Sequence, residues 1–371
     1  MTARGAPVSG GGDRRPDALP DVAAGRAAAC LGAITRRLFD AGRGLFGPRR
    51  PFGGRRYEHL WPFANAWAAA DALAGLPGSG RAATEMLAAL LAGVAAYGRT
   101  TSTSGGGEVP PGGFESQVVP PLGAGGDVFY DDNAWIGLAA LAQHERTGEP
   151  AALRLAAGLL EATTAGWSTE RRWAHPGGIR WKPSPATTSR NTCANAPVAE
   201  LAVGLHRHTG NPAPLEWGHR LYGWVRAALL RPDGLYADRI APDGRVEPTP
   251  WSYNQGTMIG AGVLLYEATG DPAFLEQSTA TAEAALGWFD GPALLGQGPA
   301  FNAIYFRNLW LLDRHRPDQR IVRSATAYAD EMWRHHRSLR TGLFTGAGSV
   351  LNRSAPMAAV FALLAGAPPS P

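Results

Sequence analysis

GLAALAQHERTGEPAALRLAAGLLEATTAGW, residues 137–167, holds an apolar run, the turn Thr147-Gly148-Glu149-Pro150, and a second run whose charges fall to one side. Glycine reaches the left-handed conformation that ends a helix, and proline opens the next where its missing N–H costs nothing. The stretch predicts two antiparallel helices joined by a tight connector. Two further stretches repeat it: ELAVGLHRHTGNPAPLEWGHRLYGWV, residues 200–225, and GVLLYEATGDPAFLEQSTATAEAALGWF, residues 262–289. Their turns begin at Thr209 and Thr269, so the period is about sixty residues.

In each repeat the first helix is apolar nearly all round and the second carries Arg, Glu and His on one face. An all-round apolar helix has to be buried, and a one-sided one lies outside it. Three weaker hairpins extend the series. One runs over residues 57–97 and turns at Leu76-Pro77-Gly78; another runs from Asn302 to His335 and turns near Arg316-Pro317. The last pairs Arg353–Leu364 with a helix over residues 21–40. Six hairpins in an inner and an outer ring make an all-α fold, an (α/α)6 toroid over residues 21–366. A flexible tail of residues 1–20 is expected before it and a short tail of residues 367–371 after it. An open solenoid would repeat nearer 34 or 40–47 residues.

Apolar residues make up 45% of the 371-residue chain and charged residues 18%, which supplies a large core and excludes wholesale disorder. Lys182 is the only lysine; with so much Ala, Gly and Arg, that usage reflects a GC-rich bacterial genome. The net charge of +4 is small and no arginine cluster interleaves with aromatics, so nucleic acid is not the expected partner. Cys30 and Cys193 are too few for a disulfide framework or a cysteine zinc site, and the scattered histidines lack metal spacing. No run reaches the roughly 20 apolar residues needed to span a bilayer. Thr35-Arg36-Arg37-Leu38-Phe39 reads as a helix end rather than an export signal, because Asp40 and Arg43 follow it. A cytoplasmic monomer is the default expectation, with a secreted or envelope location only if the start is misassigned.

Long segments, residues 101–130, 168–194 and 232–253, precede the inner helices and so collect at one pole. Loops of that length are usually functional. They end in or contain FYDDNAW, GGIRWKPSPATTSRNTCANAP and PTPWSYNQG, and the fifth inner helix opens with FNAIYFRNLW. Tyr130, Asn133, Trp135, Trp181, Asn191, Asn195, Trp251, Tyr253, Asn254, Gln255 and Arg307 are the candidate substrate ligands, beside the adjacent acids Asp131 and Asp132. Sugars present C–H faces that stack on rings and hydroxyls that take bidentate polar partners. Plainer roles compete. Asp131, Asn195 and Asn254 could be helix caps, and Asp132 could answer a helix dipole. Trp135 could be core, and Arg307 half of an ion pair.

YDDNAW followed by GLAALAQHERTGEP, then GGIRW…RNTCANAPVAELAVGLHRHTGN, then WSYNQGTMIGAGVLLYEATGD closely resembles glycoside hydrolase family 76, with order and spacing held from about Tyr57 to Met357. The resemblance implies an (α/α)6 fold and a retaining endo-α-1,6-mannanase acting on α-mannan without metal or cofactor. It places the catalytic pair on Asp131, as nucleophile, and Asp132, as acid/base. Retention needs two carboxyl groups about 5–5.5 Å apart, and mutual repulsion raises the pKa of the one that must donate a proton. The chain departs from the family pattern at Arg190, Cys193 and Asn302, which bears on its sugar subsites. A transglycosylase using the same pair, a noncatalytic glycan-binding protein and another (α/α)6 enzyme such as an epimerase are the alternatives; the last would call for histidines at the pole.

Overall fold

The computed structural model describes residues 18–47, 57–76, 80–98 and 112–366. The expected tail of residues 1–20 (but for its last three), the turn at Pro77-Gly78, the start of the first long loop and the tail of residues 367–371 lie outside them.

Helices in chain order are α1 Ala18–Arg37, α2 Leu60–Ala74, α3 Gly80–Gly93, α4 Tyr130–Thr147, α5 Pro150–Thr164, α6 Thr192–Thr209, α7 Pro212–Leu229, α8 Ser252–Thr269, α9 Pro272–Trp288, the single turn α10 Pro292–Leu295, α11 Pro299–Asp313, α12 Gln319–His335 and α13 Leu351–Leu364. Inner helices α2, α4, α6, α8, α11 and α13 pack each on the next, and α13 packs back on α2. That contact closes the ring and excludes a solenoid. Outer helices α3, α5, α7, α9 and α12 each pack on the inner helix of their hairpin, and α1 covers α13. The (α/α)6 toroid is thus as the repeat predicts, and α1 ends at Arg37.

The repeated turns work through the atoms the sequence implies. Gly148, Gly210 and Gly270 take φ values of 71°, 65° and 75°. Pro150, Pro212 and Pro272 open the outer helices, and Glu149, Asn211 and Asp271 accept from the backbone N–H two residues on. Thr147, Thr209 and Thr269 donate their hydroxyls back to carbonyls one turn earlier, sealing the inner helix.

A second repeat lies at the opposite pole, where the inner helices begin. In α4, α6 and α8 the residue four past the N-cap is Asn133, Asn195 or Gln255. Each accepts from one loop N–H and donates to the same residue's carbonyl: Phe114 at 2.7 and 3.0 Å, Ile179 at 2.7 and 3.0 Å, Tyr236 at 2.7 and 3.0 Å. Asn302 of α11 holds the Leu294 carbonyl at 2.9 Å, and Ser354 of α13 accepts from the Phe344 N–H at 3.0 Å. The loops cannot satisfy these buried groups among themselves, so the inner helices do it. Gln255→Ala is expected to cost about 2–3 kcal/mol, because it strands a donor and an acceptor of fully buried Tyr236. Thermal unfolding reads this directly, and an unchanged Tm would show that water replaces the amide.

Among the described residues, five strands, each two residues long, complete the rim. Phe39–Asp40 (β1) pairs with Leu45–Phe46 (β2), and Arg190–Asn191 (β3), Arg239–Ile240 (β4) and Val246–Glu247 (β5) form an antiparallel sheet in that order. That sheet ties the second and third long loops together beside the starts of α6 and α8.

Candidate active site

Because the inner helices share one register, equivalent positions meet across the pole. The second residue past the N-cap is Asp131 in α4, Cys193 in α6 and Tyr253 in α8. These side chains form a row: the Cys193 thiol lies between Asp131 and the Tyr253 hydroxyl, and the charge of Asp131 raises both, after burial. The equivalent residue of α2 is Trp61, which lines a cavity of about 520 Å³ together with His59, Gln117, Phe129, Trp181 and both aspartates.

Phe129, not Asp131, is the N-cap of α4, and both acids sit in its first turn. The cap reading of Asp131 is therefore wrong. Trp181 donates its indole N–H to Asp131 Oδ2 at 3.1 Å, while Asp131 Oδ1 is buried and meets no partner with hydrogen-bond geometry. Burial pushes Asp131 up to about 6, offset by the Trp181 N–H, then by the nearby thiol and first-turn amides. Asp132 is driven well above the carboxylate range, first by burial and then by the charge of Asp131. Both open on the cavity, yet little water surrounds them. Asp132 therefore holds its proton more tightly than Asp131, the division of labour that two carboxyl groups need.

The loop that carries Trp181 is fixed by its glycines and one arginine. At Gly177 and Gly178, with φ of 101° and 79°, an added Cβ would lie 2.4 Å from the rings of Trp167 and Trp224 respectively. Arg190 is fully buried and donates to the carbonyls of Ala174, His175, Gly177 and Ala241. Its guanidinium lies 5.1 Å from the Trp173 ring centre and 5.5 Å from that of Trp224. Lys182 pairs with Asp127 at 2.8 Å above Phe129, which tilts against Trp181 at 4.8 Å.

The other sequence candidates divide. Trp251 and Tyr253 face the opening, half-buried, around Phe301: Tyr253 stacks on it at 4.1 Å and Trp251 meets its edge at 5.7 Å. Asn191 keeps a buried Oδ1, and Asn254 keeps both amide atoms, without a protein partner. That is hydrogen-bonding capacity a hydroxyl or water can use. Asn254 is not a cap, since Trp251 holds that place, and Asn195 lies four residues past its cap. Asn133, Asn195 and Gln255 are corrected as substrate ligands: their amides are committed to backbone behind the groove wall. Tyr130 is 6% exposed with its ring against Gly166. Trp135 is equally buried, edge-on to Trp61 at 5.4 Å, at the head of an alanine-lined axial channel. Both belong to the wall. Arg307 sits in that channel and pairs with fully buried Glu200, whose carboxyl burial pushes up to about 7 despite the guanidinium. It is the ion-pair partner, not a groove residue.

Sequence reasoning missed Trp61 and Asp238, and marked Cys193 only as a departure from the family pattern. Asp238 precedes β4, is 9% exposed, and its charge reaches Cys193 and Tyr253. An acid beside Arg239 in a long loop, easily read as half of a surface ion pair, gave little signal. Trp61 had none, because α2 has Phe63 where the other inner helices carry the clamping group.

A closed (α/α)6 ring whose inner helices start beneath an aromatic cleft, with two adjacent carboxyl groups that hold their protons unequally, is the architecture of a glycoside hydrolase. The chain belongs to glycosyl hydrolase family 76, whose model matches residues 113–332. It is 28% identical over 189 residues to the mannan endo-1,6-alpha-mannosidase DCW1 of Candida glabrata, covering 46% of this chain and 41% of that one. With DCW1 of Saccharomyces cerevisiae it shares 29% over 155 residues, 38% of this chain and 34% of that. The match thus spans about two fifths or less of these curated relatives. Among solved structures, the family 76 mannosidase Bt3792 of Bacteroides thetaiotaomicron superimposes with a TM-score of 0.78 at 21% identity, covering 93% and 98% of the two chains. An inactive variant of the alpha-1,6-mannanase GH76A of Salegentibacter, with two consecutive aspartates changed to asparagine and alpha-1,6-mannotriose bound, gives 0.71 at 20%, covering 92% and 99%. These two share the fold.

If Asp131 must be charged to act, kcat/KM should rise with pH through about 6. It should fall again only at higher pH, as Asp132 loses its proton. A rate independent of pH between 5 and 7 would remove Asp131 from the chemistry.

Proposed function

We propose that the protein is a retaining, endo-acting α-1,6-mannanase in which Asp131 is the nucleophile and Asp132 the acid/base. The observation that carries this is the unequal pair at the start of α4, both acids lining the cavity, with Asp131 held by the Trp181 indole N–H and Asp132 raised further by the charge of Asp131. The Asp131 carboxylate attacks the anomeric carbon as Asp132 gives its proton to the departing glycosidic oxygen. Asp132, now ionised, takes a proton from water, which attacks the same carbon and frees Asp131. Two displacements at one carbon return the original configuration.

The relatives' names support mannan as substrate, and the groove supports internal cleavage. Trp61 and His59 line the cavity beside the pair, and on the other side of Asp131 the row runs through Cys193 to Tyr253, which stacks on Phe301. A chain can therefore lie across the acids rather than end at them. Incubation with linear α-1,6-mannan should give a ladder of oligosaccharides from the outset. Mannose alone at early times would indicate attack at chain ends, products longer than the donor would indicate transglycosylation, and unchanged mannan would refute the reading.

A further inference from the structure

Outer helices run antiparallel to the inner ones, so their C-termini rise to the groove pole. Trp288 is the last residue of α9 and is 49% exposed. The other exposed tryptophan among the described residues, Trp181, is the one that binds Asp131.

The indole is held in place. Arg231, in the turn after α7, lays its guanidinium 5.4 Å from the ring centre. Arg231 in turn donates to Asp233 Oδ2 at 2.6 Å and to the Pro248 carbonyl at 2.6 Å. The turn is set against α9 at Gly234, whose φ is 85° and where a Cβ would touch Ala284 at 3.2 Å. Pro248 lies three residues before Trp251, so the anchored arginine joins this ring to the loop that forms the groove wall. Guanidinium, carboxylate and a fixed ring face together match a hexose, which offers paired hydroxyls along its edge and C–H groups on its face. A ring that is already rigid loses little freedom on binding.

We propose that Trp288, with Arg231 and Asp233, is a second glycan-binding platform that holds the α-1,6-mannan chain outside the catalytic groove. It rests on the mannanase reading above and adds a site for long chains. A polymer leaving the groove past Trp251 engages it, and a short oligosaccharide spanning only the acids does not.

The test uses the full chain and two substrates, linear α-1,6-mannan and α-1,6-mannotetraose. Trp288→Ala should lower retention in affinity electrophoresis through mannan by roughly five- to tenfold, the scale of one aromatic contact. Turnover of the tetraose should match the wild type, and Trp288→Tyr should recover most of the retention. Equal retention of wild type and Trp288→Ala, an equal loss on the tetraose, or a tyrosine variant as weak as alanine would each overturn the platform. A wild type that neither binds mannan nor cleaves the tetraose would overturn the mannanase reading and the platform with it. Intact tetraose turnover separates failure of the platform alone.

Discussion

Asp131→Ala is expected to show no turnover on any α-mannoside, whereas Asp132→Ala should still cleave substrates that carry an activated aryl leaving group. The difference follows from what each carboxyl does. Without Asp131 there is no oxygen to take the anomeric carbon, however readily the other side departs. Without Asp132 the departing oxygen lacks a proton, which matters for a sugar alcohol and little for a good leaving group. Loss of proton donation should cost roughly 10²- to 10⁴-fold on mannan. Azide should rescue Asp132→Ala by attacking the glycosyl-enzyme in place of water, giving the retained-configuration mannosyl azide. Retained azide from Asp131→Ala, with inverted azide from Asp132→Ala, would reverse the two roles. The electrostatics favour the order given, since burial and the charge of Asp131 together hold the proton on Asp132.

Arg190→Ala should be the most damaging substitution outside the Asp131–Asp132 pair. It removes the donors that four loop carbonyls share and empties the slot between Trp173 and Trp224. Buried acceptors left unpaired cost about 1–3 kcal/mol each without adding fully, so a loss of at least about 3 kcal/mol is expected. Tm should fall by roughly 5 °C or more. Activity should fall too, because Trp181 N–H bonds to Ser189 O on the segment next to Arg190. Arg190→Lys should not restore stability, since a point ammonium cannot reach carbonyls arrayed around a planar fork. A lysine variant as stable as the wild type would show that charge alone suffices.

The ring was legible because its signals are local. A glycine that must turn left-handed and a proline that must begin a helix are each confined to a few residues, and three copies fix the period. Asp131 and Asp132 stood out because adjacent acids in a chain so poor in charge need a reason, and the structure sets both on the cavity. The groove ligands were read less well, and the cause is chemical. An amide offers the same donor and acceptor to a sugar hydroxyl as to a peptide group, so Asn133, Asn195 and Gln255 carried a signature their environment turned to another use. Arg307 and Arg190 misled in the same way, since the partners that absorb them, Glu200 and four loop carbonyls, are distant in sequence or featureless in it. The two-residue strands beside α6 and α8 had no period to detect.

The amide clamps separate two problems that a catalytic surface must otherwise solve at once. Between clamped atoms the chain runs 8 residues from Leu294 to Asn302, 10 from Phe344 to Ser354, 16 from Ile179 to Asn195, and 19 both from Phe114 to Asn133 and from Tyr236 to Gln255. Whatever the span, it is pinned at the same depth relative to the helix that follows. A segment can then be lengthened, shortened or exchanged while Asp131, Cys193 and Tyr253 stay in line. Transplanted rim segments cut at these atoms should therefore change which glycan is accepted without retuning the carboxyl pair.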